Sequence, residues 1–453
     1  MALERSLQSR DVSTPPASPT RRDLREGDAV RPARPVRHAR ALRSHRVARA
    51  VGLVVVSATA LGVGLVGFTL LRLRSNVTTL PSVTELIARP THEGESEPEQ
   101  PSTDDPLAGT AVNIVVLGTD DRSGENALLA GEDPGGGSDT TLIVHLPADR
   151  SRADVVSIPR DSRAQIPACH LDYNPDGPVS RPQEAKFNKA FDIGWETGEP
   201  ALAAACTMST IQTMTGLTIN AFVIVDMAGF ADMVDAVGGV RVCVPEPLRD
   251  SRYTGLDLAA GWHDLRGVQA LQYVRARHID GGDGLDPTRI ERQQRFIGAL
   301  LRRVLSSDVL TSPLALAGFL DAATSSLTVS AELGDTSTQL GLGWSLRDLD
   351  ATDITFLTVP WEFGSGGYVD WTEDAALVWS RLASDVPLNS AAQVPAAPTQ
   401  PEAADPDPAQ PDPAQPDPVQ PGPAVPPGAA PQAPAEPDLP VRSAEDPAEV
   451  LCG

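Results

Sequence analysis

The sequence predicts a layered α/β domain with a mixed sheet over residues 111–388, preceded by one transmembrane helix. Apolar, β-branched runs bounded by turn residues recur along this stretch and indicate buried strands. Segments with helical periodicity lie between these runs, and such an alternation is typical of layered α/β domains. The stretch holds about 280 residues, which is enough chain to bury one large core.

The predicted strands are short apolar runs of the kind that a sheet buries. They are AVNIVVLGT (111–119), TTLIVHL (140–146), ADVVSIP (153–159), AFVIV (221–225), VRVCV (240–244) and ITFLTVP (354–360).

Three segments predict helices. PALAAACTMSTIQTMTG begins near Pro200, a residue favoured in the first helical turn, and DMAGFADMVDAVGG ends at a Gly pair. The helix Arg289–Leu305 has an inward apolar stripe that starts at Ile290. Gln293 and Gln294 face inward too, where an amide must be hydrogen-bonded either to the protein or to a ligand.

The segments that flank the domain predict a membrane-anchored protein. Residues 1–50 hold 12 Arg against 5 acidic residues and predict a disordered basic cytoplasmic tail. The run 51–71 has 21 residues without a charge, enough for a helix to span a bilayer core of roughly 30 Å. Because the basic excess precedes this run, everything after it is predicted to be extracellular. We expect 72–110 to be an extracellular linker and 389–453 a disordered Pro-rich tail.

The overall charge argues against a nucleic-acid partner. The chain carries 37 basic and 60 acidic residues, a formal net charge of −23. A surface this acidic repels nucleic acid, although a local basic cluster could still bind phosphate.

Basic residues nevertheless gather in a few short motifs. Like charges repel, so a fold collects them only where a bound anion offsets the repulsion or where each is paired locally. The motifs are SIPRDS with Arg160, KFNKAF with Lys186 and Lys189, YVRARH with Arg275 and Arg277, and RIERQQR with Arg289 and Arg292.

Three of these motifs carry more specific expectations. Lys186 and Lys189 are the only lysines in the chain, which predicts a compact ammonium site, the alternative being two solvated surface residues. On an extended segment Arg275 and Arg277 would point the same way, an arrangement that suits a pyrophosphate. Arg160 could fork onto a phosphate or form an ion pair with a neighbouring acid.

Two aspartates are candidates for a metal site. Asp120 directly follows the first predicted strand, and Asp139 opens the second. Carboxylates from two segments could hold Mg²⁺ together with phosphate oxygens, although each is individually a common turn or capping residue.

The cysteines and histidines are assigned structural roles. Cys169, in a predicted loop, and Cys206, in a predicted helix, are the preferred disulfide pair outside the membrane. Cys243 lies in an apolar strand and is predicted to be a buried small hydrophobe. His145 and His278 are predicted to be structural, and the chain has no motif typical of nucleophilic catalysis.

Taken in order, SDTT, SIPRDS, KFNKAF, DAVGGVRVCVPE, YVRARH and RIERQQRF resemble the LytR-CpsA-Psr family. The resemblance implies a Mg²⁺-dependent phosphotransferase that moves a glycopolymer from a polyprenyl-pyrophosphate carrier to peptidoglycan. It also implies a layered α/β/α domain with a hydrophobic cavity for the lipid. The wording IPAC with a later AACT resembles the actinobacterial branch and supports the Cys169–Cys206 bridge.

The resemblance assigns roles residue by residue. One position departs from the family pattern: Gly137 stands where an arginine is usual, and Arg122 is the candidate to supply the missing phosphate contact. GLDPTR also departs, which leaves Asp286 uncertain. Together with the residue patterns above, the resemblance gives a predicted set with Asp120 and Asp139 at the metal, Arg160, Arg275, Arg277 and Lys186 in catalysis, and Arg122, Lys189, Arg289, Arg292, Gln293 and Gln294 in substrate binding.

Two other functions remain compatible with the sequence. The domain could bind a lipid-linked glycan or the cell wall without catalysis, or it could hydrolyse a polyprenyl pyrophosphate, with water in place of the acceptor hydroxyl.

Overall fold

A computed structural model describes residues 49–57, 59–60, 67–68, 71–87, 107–122, 126–130, 136–280, 286–306, 309, 312–390, 439–444 and 452. The chain divides into two compact units, residues 1–66 and 67–453. The strands found among these described residues, and the candidate site, lie in the second unit.

The N-terminal predictions fall largely on residues that the structure does not describe. Residues 1–48 of the basic tail, and 58, 61–66 and 69–70 of the predicted span, lie outside the described residues. Within the described ranges, none of the helices combines the length and apolar character needed to cross a membrane.

The main sheet is mixed and has the strand order β1-β12-β7-β2-β3-β4-β13-β16. Strand pairs β1–β12, β7–β2 and β4–β13 are parallel, and the other neighbours are antiparallel. This confirms the predicted mixed sheet. Its strands are β1 (Thr78–Thr79), β2 (Val112–Thr119), β3 (Ser138–Leu146), β4 (Ala153–Ile158), β7 (Ala221–Val225), β12 (Leu327–Val329), β13 (Ile354–Thr358) and β16 (Arg442–Ser443).

Four two-stranded ribbons accompany the sheet in the described part of the chain. They are β5 (Arg163–Ile166) with β6 (Gln183–Lys186), β8 (Val240–Val244) with β11 (Gly261–Leu265), β9 (Leu248–Asp250) with β10 (Leu256–Leu258), and β14 (Trp361–Phe363) with β15 (Val369–Trp371).

The following helices are interspersed with these strands in the described part of the second unit. They are α1 (Asn126–Ala130), α2 (Lys189–Trp195), α3 (Pro200–Thr215), α4 (Met227–Ala236), α5 (Gly267–Arg275), α6 (Asp286–Val304), α7 (Pro313–Ser326), α8 (Ala331–Gly334), α9 (Thr336–Ser345) and α10 (Asp374–Ala383), with short 3-10 turns at Thr84–Leu86, Ala351–Asp353 and Ser365–Gly367.

Side chains that alternate along each central strand divide the core into two layers. In β2, Val115 and Leu117 pack with helices α2, α3 and α10. Val112 and Ile114 face the other side and pack with α6, α8 and α9. Because successive residues of a strand point to opposite faces, the sheet is covered by helices on both sides, which is the predicted α/β/α layering.

A third cluster of buried residues lies beside the main sheet. It joins β8, β10 and β11 to α4, α5 and α6 through side chains that include Val240, Leu256, Leu265, Tyr273 and Phe296. This cluster matters for the site because it fixes helix α5 and the β9–β10 hairpin.

The ordered domain extends beyond the expected limits of 111 and 388. On the N-terminal side, Val83, Leu86 and Ile87 are buried in the core, within the segment that was predicted to be a linker. These apolar side chains are buried in the core, although the Ser, Thr and Pro content of the segment favoured the prediction of a linker.

The Pro-rich tail also returns to the domain, which corrects the prediction of a disordered 389–453. Strand β16 adds to the edge of the sheet beside β13, and Leu439 and Ala444 are buried there. Residues 391–438 lie outside the described residues. A strand as short as Arg442–Ser443 can pair with a sheet edge whatever the composition of the chain before it, because the pairing uses backbone groups.

Two disulfides cross-link the domain. Cys169 bonds Cys206, the pair that the sequence favoured, with the Cα atoms 5.1 Å apart. Cys243 bonds Cys452 across 209 positions, so the prediction that Cys243 is only a buried hydrophobe was wrong. Cys243 is indeed buried, but the returning tail supplies a partner that its local sequence does not indicate.

Candidate functional site

The two candidate metal-binding aspartates lie side by side at one end of the sheet. Asp120 follows the end of β2, and Asp139 is the second residue of β3. These strands are antiparallel, and Thr119 pairs with Ser138, so the end of one strand meets the start of the other. The N–H of Asp120 donates to the carbonyl oxygen of Gly137 at 2.8 Å, which fixes the approach of the two segments.

Both carboxylate oxygens of Asp120 accept hydrogen bonds from arginines. Arg275 Nη2 donates to Oδ1 at 2.6 Å, and Arg122 Nη2 donates to Oδ2 at 2.9 Å. Arg122, the sequence candidate to replace the arginine absent at Gly137, is therefore in position beside the two aspartates. One carboxylate thus orients two guanidinium groups.

Asp139 pairs with two further arginines. Arg160 donates to its Oδ1, and Arg289 Nη2 donates to its backbone oxygen at 2.7 Å. Burial alone would raise the pKa of Asp139, but the charges of Arg289 and Arg160 outweigh it and lower the pKa below its usual value. Asp139 is therefore a carboxylate at neutral pH, and Arg160 has its ion-pair partner across the β3–β4 strand pair.

A third carboxylate, Asp161, connects Lys186 to Arg277. Lys186 Nζ lies 2.6 Å from Oδ1, and Arg277 Nη2 lies 3.0 Å from Oδ2. Asp161 is almost fully buried, at 8% exposure, so the contacts with both cations offset the cost of burying its charge.

The segment YVRARH is not extended through its length. Helix α5 ends at Arg275, and Ala276 leaves the helical conformation with φ −56° and ψ 123°. The alternate spacing of the two arginines suggested an extended segment, but Ala270, Leu271 and Tyr273 form the buried face of a helix. Arg275 and Arg277 consequently bind different carboxylates and do not project side by side as predicted.

Most of these charged groups line a cavity of about 390 Å³, whereas Asp161 and Lys186 are not among its lining residues. Its lining contains six arginines and three aspartates and no other acidic side chain or lysine, a formal excess of three positive charges in a chain of net charge −23. A cavity with this balance attracts anions of high charge density. The charged lining residues are Asp120, Arg122, Asp139, Arg160, Asp250, Arg252, Arg275, Arg277 and Arg289.

Two of the predicted basic substrate ligands lie outside this cavity. Lys189 Nζ lies 2.9 Å from Oε1 of Glu196, the residue that follows helix α2. Lys189 is not among the residues that line the cavity. Arg292 is buried and donates to the backbone oxygen of Ala276. That bond holds the end of α5 onto α6, so Arg292 positions the neighbours of Arg275 and does not line the cavity itself.

The inward amides of α6 bind the protein, which was the structural alternative for them. Gln293 Nε2 donates to Thr140 Oγ1 at 3.1 Å. Gln294 Nε2 donates to Ser157 Oγ at 2.9 Å and to Thr358 Oγ1 at 3.1 Å. The two amides therefore fasten α6 to strands β3, β4 and β13, and neither belongs to the cavity lining.

The sequence did not identify one wall of the cavity. The β9–β10 hairpin contributes Asp250, Arg252, Tyr253 and Thr254, and His278, predicted to be structural, lines the cavity next to it. In the sequence this wall corresponds to the short polar segment LRDSRYTGLDL. The composition of that segment is also typical of an ordinary surface turn, so it did not indicate a site.

The donor set at the aspartates fits Mg²⁺ when a phosphate supplies further ligands. In the described ranges, no cluster of three or more His, Cys, Asp or Glu side chains could hold a metal alone. Mg²⁺ is commonly bound by one or two carboxylates together with waters and substrate phosphates, and Asp120 and Asp139 are such a pair. Arg160 and Arg275, which bond these carboxylates, would then also be close enough to bind the phosphate.

Comparison with known proteins places this arrangement in a family. A family model described as LytR_cpsA_psr family matches residues 83–385. The chain belongs to the LytR-CpsA-Psr family. The match begins at Val83, the first of the buried residues that extend the domain towards the N-terminus.

Relatives of this LytR-CpsA-Psr protein include cell-wall proteins. The cell wall biosynthesis protein LcpA of Corynebacterium glutamicum is 32% identical over 274 residues, 56% of this chain and 50% of the relative. A polyisoprenyl-teichoic acid–peptidoglycan teichoic acid transferase, TagU of Oceanobacillus iheyensis, is 30% identical over 203 residues, 44% of this chain and 54% of the relative. The chain thus spans about half the length of these relatives.

A solved structure gives a further comparison. The LytR-Csp2A-Psr enzyme from Actinomyces oris aligns over 65% of this chain and 96% of its own, with 23% sequence identity and a TM-score of 0.47.

Proposed function

We propose that this LytR-CpsA-Psr protein transfers a glycopolymer from a polyprenyl-pyrophosphate carrier to peptidoglycan and forms a phosphodiester link. The observation that carries the proposal is the cavity in which six arginines face three aspartates. The surplus of positive charge matches a diphosphate, which bears two to three negative charges on closely spaced oxygens.

The names of the relatives support the substrate class. One relative is named for cell wall biosynthesis, and others are named as transferases that join a polyisoprenyl-linked teichoic acid to peptidoglycan. A glycopolymer joined to a lipid through a diphosphate is the type of donor that those names describe.

In the proposed reaction, a hydroxyl oxygen of the acceptor attacks the phosphorus that carries the glycopolymer. A new P–O bond forms, the bond from this phosphorus to the bridging oxygen breaks, and polyprenyl phosphate leaves with the electron pair. The hydroxyl proton passes to a base or to water. The arginines on Asp120 and Asp139 act on the charge that grows on the phosphate oxygens, and groups held in place in this way commonly lower a barrier by several kcal/mol.

We also propose that Asp120 and Asp139 hold Mg²⁺ during the reaction. The metal would supply charge neutralisation at the phosphate oxygens. The residues of the chain do the remaining work: Arg160, Arg275 and Arg289 orient the diphosphate, and Asp161 keeps Arg277 and Lys186 at the same end of the sheet.

The location proposed for the enzyme follows from the uncharged run 51–71 and the basic residues before it. A single span would place residues 1–50 in the cytoplasm and the catalytic domain outside, where the lipid carrier and peptidoglycan meet. An apolar channel for the lipid remains part of the proposal, and Leu129, Val268 and Leu271 are the apolar side chains of the cavity lining that such a channel would adjoin.

The test uses the full-length protein in detergent with Mg²⁺, a lipid-linked oligosaccharide and soluble peptidoglycan. We expect release of polyprenyl phosphate together with a glycan covalently attached to peptidoglycan. Release of lipid phosphate with free glycan phosphate would identify a hydrolase instead. Binding of the donor with no product would identify a non-catalytic module.

A further inference from the structure

The β9–β10 hairpin forms a wall of the cavity that differs in chemistry from the arginine side. Its loop joins Asp250 to Leu256, which pair across the hairpin. The N–H of Asp280 donates to the oxygen of Arg249 at 2.9 Å, so the hairpin is attached to the segment that follows Arg277. The wall therefore has a fixed position beside the proposed diphosphate site.

Asp250 is the buried carboxylate of this wall. It is 1% exposed, and its Oδ1 accepts the N–H of Tyr253 at 3.2 Å. Its Oδ2 is buried and accepts no hydrogen bond from any residue that the structure describes. A buried acceptor without a donor is destabilising, and more so when the group is charged. Unlike Asp120 and Asp139, Asp250 forms no ion pair with a described arginine. A bound molecule could therefore supply the hydrogen-bond donor that its Oδ2 lacks.

An aromatic pair stands next to Asp250. The rings of Tyr253 and His278 stack with their centroids 4.1 Å apart and their planes 29° apart. Tyr253 is 60% exposed, and the guanidinium carbon of Arg252 lies 5.4 Å from its ring centroid. A flat, partly exposed aromatic surface beside a charged cavity offers contact area with polar edges.

We propose that this wall is a subsite for a sugar ring next to the diphosphate. A sugar presents hydroxyl donors that complete Asp250, and its C–H face packs against aromatic rings such as Tyr253 and His278. A further phosphate is disfavoured because it would meet the Asp250 carboxylate. A lipid chain is disfavoured because it would leave Oδ2 without a donor. This inference rests on the proposed function, since the diphosphate site fixes which part of a substrate reaches the hairpin.

The sugar could come from the donor or from the acceptor, and two binding measurements on the full-length protein separate these sources. The donor arm compares farnesyl pyrophosphate with farnesyl-pyrophosphoryl-N-acetylglucosamine by calorimetry. We expect the wild type to bind the sugar-bearing probe about tenfold more tightly, which is the range of a single well-placed set of contacts. Tyr253→Ala and Asp250→Asn should remove this preference without weakening the binding of farnesyl pyrophosphate.

The acceptor arm measures binding of the disaccharide N-acetylglucosaminyl-N-acetylmuramic acid. If the hairpin variants keep the donor preference but lose affinity for the disaccharide by about tenfold, the subsite holds the acceptor sugar. Tyr253→Phe should behave as wild type in either arm because it retains the ring. Matched controls are Asp257→Asn, an exposed acid of the same hairpin, and Trp344→Ala, an exposed aromatic residue outside the cavity lining.

The subsite is wrong if Tyr253→Ala and Asp250→Asn leave both arms unchanged while the wild type binds farnesyl pyrophosphate. The proposed function fails separately if the wild type neither binds farnesyl pyrophosphate nor transfers glycan. Asp250 is buried, so its variant needs an unfolding curve like that of the wild type, and Tyr253→Ala at the exposed ring provides the independent test.

Discussion

Arg275 Nη2 donates to Asp120 Oδ1 at 2.6 Å, which joins the last residue of helix α5 to the first residue after strand β2. The two residues are 155 positions apart in the chain. The contact joins the third buried cluster, which includes residues of α5, to the end of the main sheet. The position of Arg275, the arginine proposed for catalysis, therefore depends on how these two parts of the domain pack.

Replacing Arg275 by alanine should reduce activity far more than stability. We expect the rate of glycan transfer to fall about 10²–10³-fold, because a positioned cation at the reacting phosphate is lost. The side chains of Arg275 and Asp120 are 26% and 19% exposed, so solvent screens the pair, and we expect a change in unfolding free energy of about 1 kcal/mol or less. Transfer rates and urea unfolding of the same preparation measure the two effects.

The control is Arg249→Ala. Arg249 pairs with Asp257 on the exposed side of the hairpin, with side chains 63% and 69% exposed. Its replacement should leave transfer unchanged. Full transfer activity in the Arg275 variant would contradict the proposed role.

Removal of divalent metal should stop transfer and should also be visible without catalysis. Mg²⁺ added with farnesyl pyrophosphate should raise the melting temperature of the wild type more than either alone, since a ligand that binds only the folded state stabilises it. Asp139→Asn should lose this joint increment because it removes one of the two proposed carboxylate ligands. A chelator-treated protein that transfers at the full rate, or an Asn variant with an undiminished increment, would argue against the metal.

His145 should make stability depend on pH in the mildly acidic range. Its ring is fully buried, with Nδ1 2.8 Å from Asn113 Oδ1 and Nε2 3.1 Å from Asp385 Oδ1. Burial lowers the pKa of His145, and the nearby Asp385 and Asp154 only partly oppose this effect. Above about pH 6.5 the imidazole is neutral in both folded and unfolded chains. As the pH falls below 6.5, the unfolded chain takes up the proton first, so the free energy of unfolding decreases until the folded pKa is reached.

His145→Gln should therefore lose the part of the pH dependence that begins at about pH 6.5. Urea unfolding between pH 5 and pH 8 measures it for both proteins. Burial raises the pKa of the neighbouring Asp154, which makes the free energy of unfolding fall as the pH rises and so has the opposite sign to the effect of His145. Identical pH profiles for the variant and the wild type would show that another group controls the change.

Loss of the Cys169–Cys206 bridge should destabilise the domain without altering the cavity. The cross-link closes a loop of 37 positions, and the chain-entropy relation gives about 4 kcal/mol for such a loop. We expect Cys169→Ala with Cys206→Ala to lower the free energy of unfolding by up to this amount, measured by urea. Farnesyl pyrophosphate affinity of the folded variant should stay the same, and a large loss of affinity would mean that the bridge also shapes the site.

The sequence identified the part of the site that local order determines. Asp120, Asp139 and Arg160 stand at strand ends, and neighbouring antiparallel strands bring such residues to one edge of a sheet. Apolar runs predicted each strand of the sheet centre because burial on both faces leaves a strong compositional mark. Local pattern was therefore enough for the sheet and for one side of the cavity.

The parts that it missed depend on distant contacts or on conflicting periods. Asp250 and Tyr253 sit in a short polar hairpin, and only the packing of that hairpin beside Arg277 turns it into a cavity wall. Arg275 and Arg277 alternate as in a strand although the helix ends between them. The partner of Cys243 lies 209 positions away, beyond the reach of any local pattern.

The ion pairs of the cavity have a consequence for how the protein meets its substrate. Asp120, Asp139 and Asp161 hold the guanidinium and ammonium groups in place before any anion arrives, so the rotational freedom of those long side chains is lost once, when the chain folds, and not at each encounter. Under the proposed function, each incoming diphosphate would then meet rigid donors and would compete with these carboxylates for them. Loosening of helix α5, even far from the cavity, would restore the rotational freedom of the Arg275 side chain and weaken the binding of any substrate that Arg275 contacts.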